Sequence, residues 1–307
     1  MSKGYICNMK NLFISLICSL FVFEATAQVP GKQVYDTINI SPQGYPYGIT
    51  PIWQYLPPDY STKKFPLVIY CGGAGDWVSP TAMIQNGPGK LIADSAWLPE
   101  FILLSPKGDG GVGYTEPQNI NALIDWAEKN LKVDTNRIYL TGISFGGKSC
   151  YDYVATSPYY ASRIAAMIPM SAANGSSLLG LANACKAGIP VWDFCANNDP
   201  MGFYIANEQY VSAINACSPG LAQLTTINSN SHGPWLPIYG SPGVWIWLLQ
   251  FAKGGAAIPV SAIIHDTLYV PRLLVQIDTI YKPFTFTMQD GKNILQVTDS
   301  AGKFFVH

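Results

Sequence analysis

Six short apolar runs constrain the fold of this chain more than any other feature: "FPLVIYC" (65–71), "FILLS" (101–105), "RIYLT" (137–141), "IAAMIPMSA" (164–172), "IPVWDFC" (189–195) and "LAQLTTI" (221–227). Most are apolar throughout rather than alternating with polar residues. A strand of that kind is buried on both faces, which demands a sheet covered front and back by other elements. Helical patterns fall between the runs, in "QNINALIDWAEKNL" (118–131) and near 204–216 and 243–253. Strands alternating with helices predict an α/β fold with a mostly parallel central sheet flanked by helices. Before them, "VYDTINI" (34–40) and "ITPIWQYLPP" (49–58) read as two further strands, split by the turn-rich "SPQGYPYG". In parallel sheets, function collects in the loops at the carboxyl ends of the strands. Here these are 72–76, 142–149, 196–201 and 228–235.

The N-terminus has the pattern of a secretory signal. Lys3 and Lys10 precede the apolar "LFISLICSLFVF" (12–23), and Ala25-Thr26-Ala27 forms an A-x-A cleavage site. The apolar run is too short to span about 30 Å of hydrocarbon. The expectation is residues 1–27 as signal peptide, 28–254 as the main domain, and export to the periplasm or beyond without a stable membrane anchor. From 255 to 307 the character changes. "HDTLYVP" (265–271) and "IDTIYKP" (277–283) are near-copies, followed by the alternating "PFTFTMQ" and "NILQVTD". This predicts a short β-rich tail or the start of an accessory module. A net charge of −1 with no basic run argues against nucleic acid as a partner. Five cysteines follow residue 27, none in a C-x-x-C spacing, so neither metal nor redox work is expected. Cys185 and Cys217 lie in polar connections, where a bridge and two separate thiols are equally open readings.

The octapeptide "GISFGGKS" (142–149) satisfies two unrelated motifs. As G-x-x-x-x-G-K-S it is a phosphate-cradling loop, with Lys148 and Ser149 serving a nucleotide and its Mg²⁺. As G-x-S-x-G it is a nucleophile elbow with Ser144 at the tip. The nucleotide reading needs a second carboxylate ending an apolar strand, and none is cleanly supplied. A second decoy, "GDGGVG" (108–113), does not run into a helix, so nucleotide binding is not expected. The elbow reading has its own bland rival, since chance alone predicts roughly 0.2 such patterns in a chain of this composition. Context decides between them.

A hydroxyl nucleophile needs a base, and the base needs an acid to orient it. The chain has three histidines. His307 is terminal and His265 lies in the tail repeat. His232, in "SNSHGPW", follows the last apolar strand. A histidine in a loop is usually mere surface, but downstream of an elbow it is the base to consider. Two aspartates compete as the acid. Asp193 lies inside its strand, whereas Asp199 lies in the loop at the strand's carboxyl end and is preferred. The order Ser144, Asp199, His232 is that of α/β-hydrolases. Backbone donors for an oxyanion are expected from Phe145, directly after the nucleophile, and from Gly73, with Ala74 as alternate. Trp77, Trp235, Met201 and Phe203 are candidate substrate walls, each equally readable as core packing.

"YLPPDY", "PLVIYCGGAGDW", "NGPGKLIA", "VDTNRIYLTGISFGG", "PVWDFCANND" and "SHGPW" with "WIWLLQ" resemble the bacterial phospholipase/carboxylesterase-type α/β-hydrolases. That group takes in exported feruloyl- and acetylxylan-esterase-like enzymes and predicted peptidases. The resemblance covers about residues 45–253. It implies an exported serine carboxylesterase without cofactor or metal, acting on small-molecule or polysaccharide-linked esters. A peptidase of the same fold and an inactive glycan-binding surface protein are the alternatives. Two departures stand out: where the group carries His-Gly, this chain has Cys71-Gly72 and Cys195-Ala196.

Overall fold

The computed structural model describes residues 29–40, 49–94, 97–108, 113–257, 285–288, 295–299 and 302–306. The expected signal peptide, the repeat pair 265–271 and 277–283, and most of "GDGGVG" lie outside the described residues. The strands are β1 (Gln33–Asn39), β2 (Ile49–Tyr55), β3 (Phe65–Cys71), β4 (Ile102–Pro106), β5 (Val133–Ile143), β6 (Ala166–Met170), β7 (Val191–Ala196) and β8 (Ala222–Ile227). They form one sheet in the order β1-β2-β4-β3-β5-β6-β7-β8. β1 with β2 and β2 with β4 pair antiparallel, and every later pairing is parallel.

The helices are α1 (Pro88–Asp94), α2 (Pro117–Asn130), α3 (Phe145–Thr156), α4 (Pro158–Ala161), α5 (Ala182–Lys186), α6 (Tyr204–Asn215), α7 (Trp235–Tyr239) and α8 (Pro242–Leu249). The continuous apolar runs have the cause expected of them. Along β3, Leu67, Ile69 and Cys71 join one buried cluster, together with Ile124 of α2, Tyr151 and Val154 of α3 and Tyr210 of α6. The intervening Val68 and Tyr70 join a second, with Ile92 of α1, Tyr239 of α7 and Trp245 of α8. Side chains alternate across a strand, so a sheet with helices on both faces requires apolar residues at every position.

Differences from the sequence expectation are local. β5 starts at Val133 rather than Arg137, because Phe65 at the start of β3 already pairs with Val133. The helix expected over 243–253 ends at Leu249. Phe251–Ala252 (β9) then pairs antiparallel with Ala256–Ala257 (β10), a ribbon that crosses the boundary expected at residue 254. The turn between them has Gly254 at φ 77° and Gly255 at φ 71°, conformations that side-chain-bearing residues rarely adopt. In the tail, Thr285–Met288 (β11), Leu295–Asp299 (β12) and Gly302–Val306 (β13) form a three-stranded antiparallel sheet.

Cys185 and Cys217 are joined in a disulfide with their Cα atoms 6.2 Å apart. The bridge ties the end of α5 to the residue beyond the C-cap of α6, across a separation of 32 residues. Closing a loop of that length removes roughly 3–4 kcal/mol of denatured-state freedom. The Cys185→Ser/Cys217→Ser double variant should lose stability by about that amount in urea unfolding. The unsubstituted protein should reproduce most of the loss when unfolded with a reductant present.

Candidate active site

The parallel strands β5, β6, β7 and β8 end at one edge of the sheet, and strand neighbours lie about 4.8 Å apart. Ser144 follows β5, Asp199 lies three residues past β7, and His232 lies in the loop after β8. Adjacent parallel strands thus bring to one edge residues up to 88 apart in sequence, copying the order Ser, Asp, His.

Ser144 occupies a turn that few residues can adopt, with φ 54° and ψ −118°. Among the described residues, Ser144 and Ser171 are the non-glycine residues with positive φ. Both sit at the carboxyl edge of the sheet, the kind of place where strain is held for function. The turn survives because its neighbours are small. A Cβ on Gly146 would lie 1.9 Å from the Cys71 carbonyl oxygen, and one on Gly142 would lie 2.5 Å from the Gly146 backbone. The backbone of Ser144 is held on both sides: its N–H donates to Met170 O at 2.9 Å, and its carbonyl accepts from Lys148 and Ala173, both at 3.0 Å. Its hydroxyl does not cap the helix that starts after it. The side chain is buried yet uncommitted.

Asp199 and His232 form a pair. Asp199 Oδ2 lies 2.8 Å from His232 Nδ1, and Oδ1 accepts the Met201 N–H at 2.8 Å. The carboxylate is sealed from solvent while the imidazole is 21% exposed. A carboxylate on Nδ1 fixes the tautomer with Nδ1–H, leaving Nε2 as the acceptor. Phe203 and Trp235 meet the ring edge-on, with centroids 5.4 and 5.2 Å away. Two of the four expected walls therefore pack on His232. Met201 is 57% exposed beside Asp199, and Trp77 is half-buried in the turn next to Asp76.

A polar link the sequence did not announce ties the nucleophile's surroundings to this pair. Asn207, fully buried in α6, exchanges hydrogen bonds with the backbone of Ala172, at 3.0 and 2.9 Å, and donates to Phe203 O at 2.7 Å. Ala173 bonds Ser144, and Phe203 packs on His232. An asparagine in the buried stripe Phe203, Ala206, Tyr210 and Ile214 was the available signal.

One expected donor is otherwise engaged. The Gly73 N–H donates to Asp76 Oδ2 at 2.9 Å, so it is not free to hold an oxyanion. The turn still passes beside the nucleophile: a Cβ on Gly73 would lie 3.3 Å from Ser144 Cβ. The next N–H, that of Ala74, has no hydrogen-bond acceptor among the described residues. Phe145 is the first residue of α3, where the N–H has no intrahelical acceptor and the helix carries a partial positive charge.

The two residues of "GISFGGKS" that a phosphate loop would use make other contacts here. Lys148 pairs with Asp152 and lies over the Tyr114 ring, 5.0 Å from its centroid. Ser149 Oγ donates to Phe145 O at 3.1 Å and accepts the Thr115 N–H at 2.9 Å. Both side chains dock the 113–115 segment on α3. Gly113 in turn lies so close to Gly73 that a Cβ there would sit 2.2 Å from the Gly73 carbonyl oxygen. Among the described residues no cluster of three or more His, Cys, Asp or Glu could hold a metal, and no helix is long and apolar enough to cross a membrane.

No protein-family model matches the chain. Over 200 residues, 61% of its length, the chain is 28% identical to the bifunctional acetylxylan esterase/xylanase XynS20E of Neocallimastix patriciarum, and it spans 28% of that protein. Among solved structures it is similar to a thermostable esterase, with 20% identity and a TM-score of 0.55 over 72% of this chain and 63% of the other. A ferulic acid esterase matches with 16% identity and a TM-score of 0.52, over 71% and 96%. An acylaminoacyl peptidase matches with 12% identity and a TM-score of 0.51, over 76% and 44%. The chain has the α/β-hydrolase fold, as its strand order, its elbow and these likenesses together establish.

The two aspartates of "VWDFCANND" have different surroundings. Asp193 is fully buried in β7, where Oδ2 accepts the Tyr151 hydroxyl at 2.5 Å and Oδ1 has no partner. Burial pushes its pKa up to about 7, against the opposing bonds from Tyr151 and the Phe194 backbone. A carboxyl whose folded pKa is raised binds its proton more tightly in the folded state. Stability should therefore fall as pH rises from about 4 to about 7. Asp193→Asn, which retains an acceptor for Tyr151, should flatten that part of the thermal-melting profile and gain on the order of 2–4 kcal/mol at pH 8. The Asp199–His232 hydrogen bond should be unchanged, since Asp193 is bonded to Tyr151 and not to His232.

Proposed function

We propose that the protein is an exported serine carboxylesterase, with Ser144 as nucleophile, His232 as general base and Asp199 as the acid that orients it. The observation that carries this reading is the Asp199–His232 hydrogen bond of 2.8 Å at the strand edge where Ser144 occupies its strained turn. Ser144 Oγ attacks the acyl carbon and passes its proton to His232 Nε2. The carbonyl oxygen gathers negative charge, held by the N–H groups of Phe145 and Ala74. His232 then protonates the departing alcohol, leaving Ser144 acylated. Water, deprotonated by the same imidazole, releases the acid and restores Ser144. No cofactor or metal enters this sequence.

The substrates that fit the reading are acetyl or feruloyl esters of plant polysaccharides, or small esters of the same kind. The names of the acetylxylan esterase/xylanase and the ferulic acid esterase support this choice, as do the aromatic side chains of Phe203 and Trp235 around His232. The apolar segment before Ala27 and the Cys185–Cys217 disulfide support export, because structural disulfides persist in oxidising compartments.

Hydrolysis of p-nitrophenyl acetate and methyl ferulate tests the mechanism. Ser144→Ala and His232→Ala should each lower kcat by on the order of 10⁴ or more, and Asp199→Asn by about 10⁴. Activity that survives Ser144→Ala would refute the assignment. Cleavage of aminoacyl p-nitroanilides faster than either ester would make the protein a peptidase.

A further inference from the structure

Asp76 is buried in the turn beside Ser144 and takes no part in the triad. Its Oδ2 accepts the Gly73 N–H at 2.9 Å and the Tyr70 hydroxyl at 3.1 Å, and its Oδ1 accepts Asn86 Nδ2 at 2.9 Å. The turn from Gly73 to Asp76 is closed by a backbone bond of 3.1 Å and passes through Gly75 at φ 96°. Gly72 leaves room for the carboxylate, since a Cβ there would lie 2.8 Å from Asp76 Cβ and 2.9 Å from Oδ2. Burial raises the Asp76 pKa above its ordinary value, and the Gly73, Asn86 and Tyr70 donors oppose that shift. Closing a surface turn does not require a buried carboxylate, which is costly unless fully bonded. What this one does is commit one particular N–H of the turn.

On the reading of Ser144 as nucleophile, we propose that Asp76 is the positioning residue of the oxyanion turn. It binds the Gly73 N–H, anchors the turn to Tyr70 of β3 and to Asn86, and so leaves the Ala74 N–H as the donor presented to the acyl oxygen. Gly113 backs the same turn from the segment that Ser149 holds. Cys71, which stands where the resembled group carries a histidine, ends β3 two residues before this turn. Asp76 supplies a side-chain anchor for the turn.

The test uses the full chain with p-nitrophenyl acetate as substrate and phenylboronic acid as a mimic of the tetrahedral adduct. Asp76→Ala should lower kcat on the order of 10²-fold, the effect of losing one oxyanion donor, and raise the boronic acid Ki in parallel. KM should stay within about twofold. Tyr70→Phe and Asn86→Ala, which keep the carboxylate but remove one of its donors, should each lower kcat by about 3–10-fold, the effect of one hydrogen bond. They keep the proposal testable if Asp76→Ala does not fold. Fluorophosphonate labelling of Ser144 in the unsubstituted protein separates the two levels of inference. Absence of labelling and of esterase activity would overturn the nucleophile reading and Asp76's role with it. With labelling present, a lowered melting point and intact kcat in the variants would overturn the positioning role alone. So would a rise in kcat, which would make Asp76 a competitor for the Gly73 donor.

Discussion

The approach of α3 to the end of β3 is the contact on which the rest of the site depends. Gly146, in the first turn of α3, lies against the Cys71 carbonyl so closely that a single methyl group would collide with it. That approach lets the chain reverse from β5 into a helix within one residue, and the residue that takes the reversal is Ser144. Positive φ at a serine is unfavourable, and the surrounding backbone holds it through bonds to Met170, Lys148 and Ala173. The outcome is a buried hydroxyl that makes no capping bond, at the amino end of a helix whose first N–H groups lack intrahelical acceptors.

The two faces of the sheet divide the work. One cluster, built from alternate residues of the strands with α2, α3 and α6, carries the elbow helix and the helix that holds Asn207 and Phe203. The other, with α1, α7 and α8, carries Tyr70, whose hydroxyl reaches Asp76, and packs Trp235 at its margin. The site therefore sits where both cores end. Ser144 and His232 are linked to one face by way of Asn207, which bonds Ala172 and Phe203, and the 73–76 turn is linked to the other through Tyr70 and Asp76. Disturbance of either core reaches Ser144, His232 and the 73–76 turn through these contacts.

The fold and the candidate site were legible because each left a local mark. Continuous apolar runs marked a doubly covered sheet, and small residues two before and two after Ser144 marked the elbow. Asp199 beat Asp193 on position alone, four residues past the apolar run "IPVWDFC" rather than within it. In the structure Asp199 is hydrogen-bonded to His232 and Asp193 to Tyr151. The Cys185–Cys217 bridge was open in sequence because spacing carries no information on Cα separation. The choice between Gly73 and its alternate Ala74 was open to sequence for a related reason, and the Gly73 N–H is bonded to Asp76. Which N–H a turn exposes depends on who accepts the others, and the acceptor here is a side chain held by Tyr70 and Asn86.

The sequence by itself determined which residues stand at strand ends, because hydrophobic periodicity and glycine placement are properties of neighbours along the chain. It therefore determined the sheet, the elbow and the order Ser144, Asp199, His232. Only the tertiary structure decided how the remaining polar groups are spent: Lys148 and Ser149 on docking a loop, Asn207 on joining two segments, and Asp76 on the Gly73 N–H. A hydrogen bond needs both partners within about 3 Å, and those partners come from β3, α3, α6 and the loops between them, a proximity that no stretch of sequence contains.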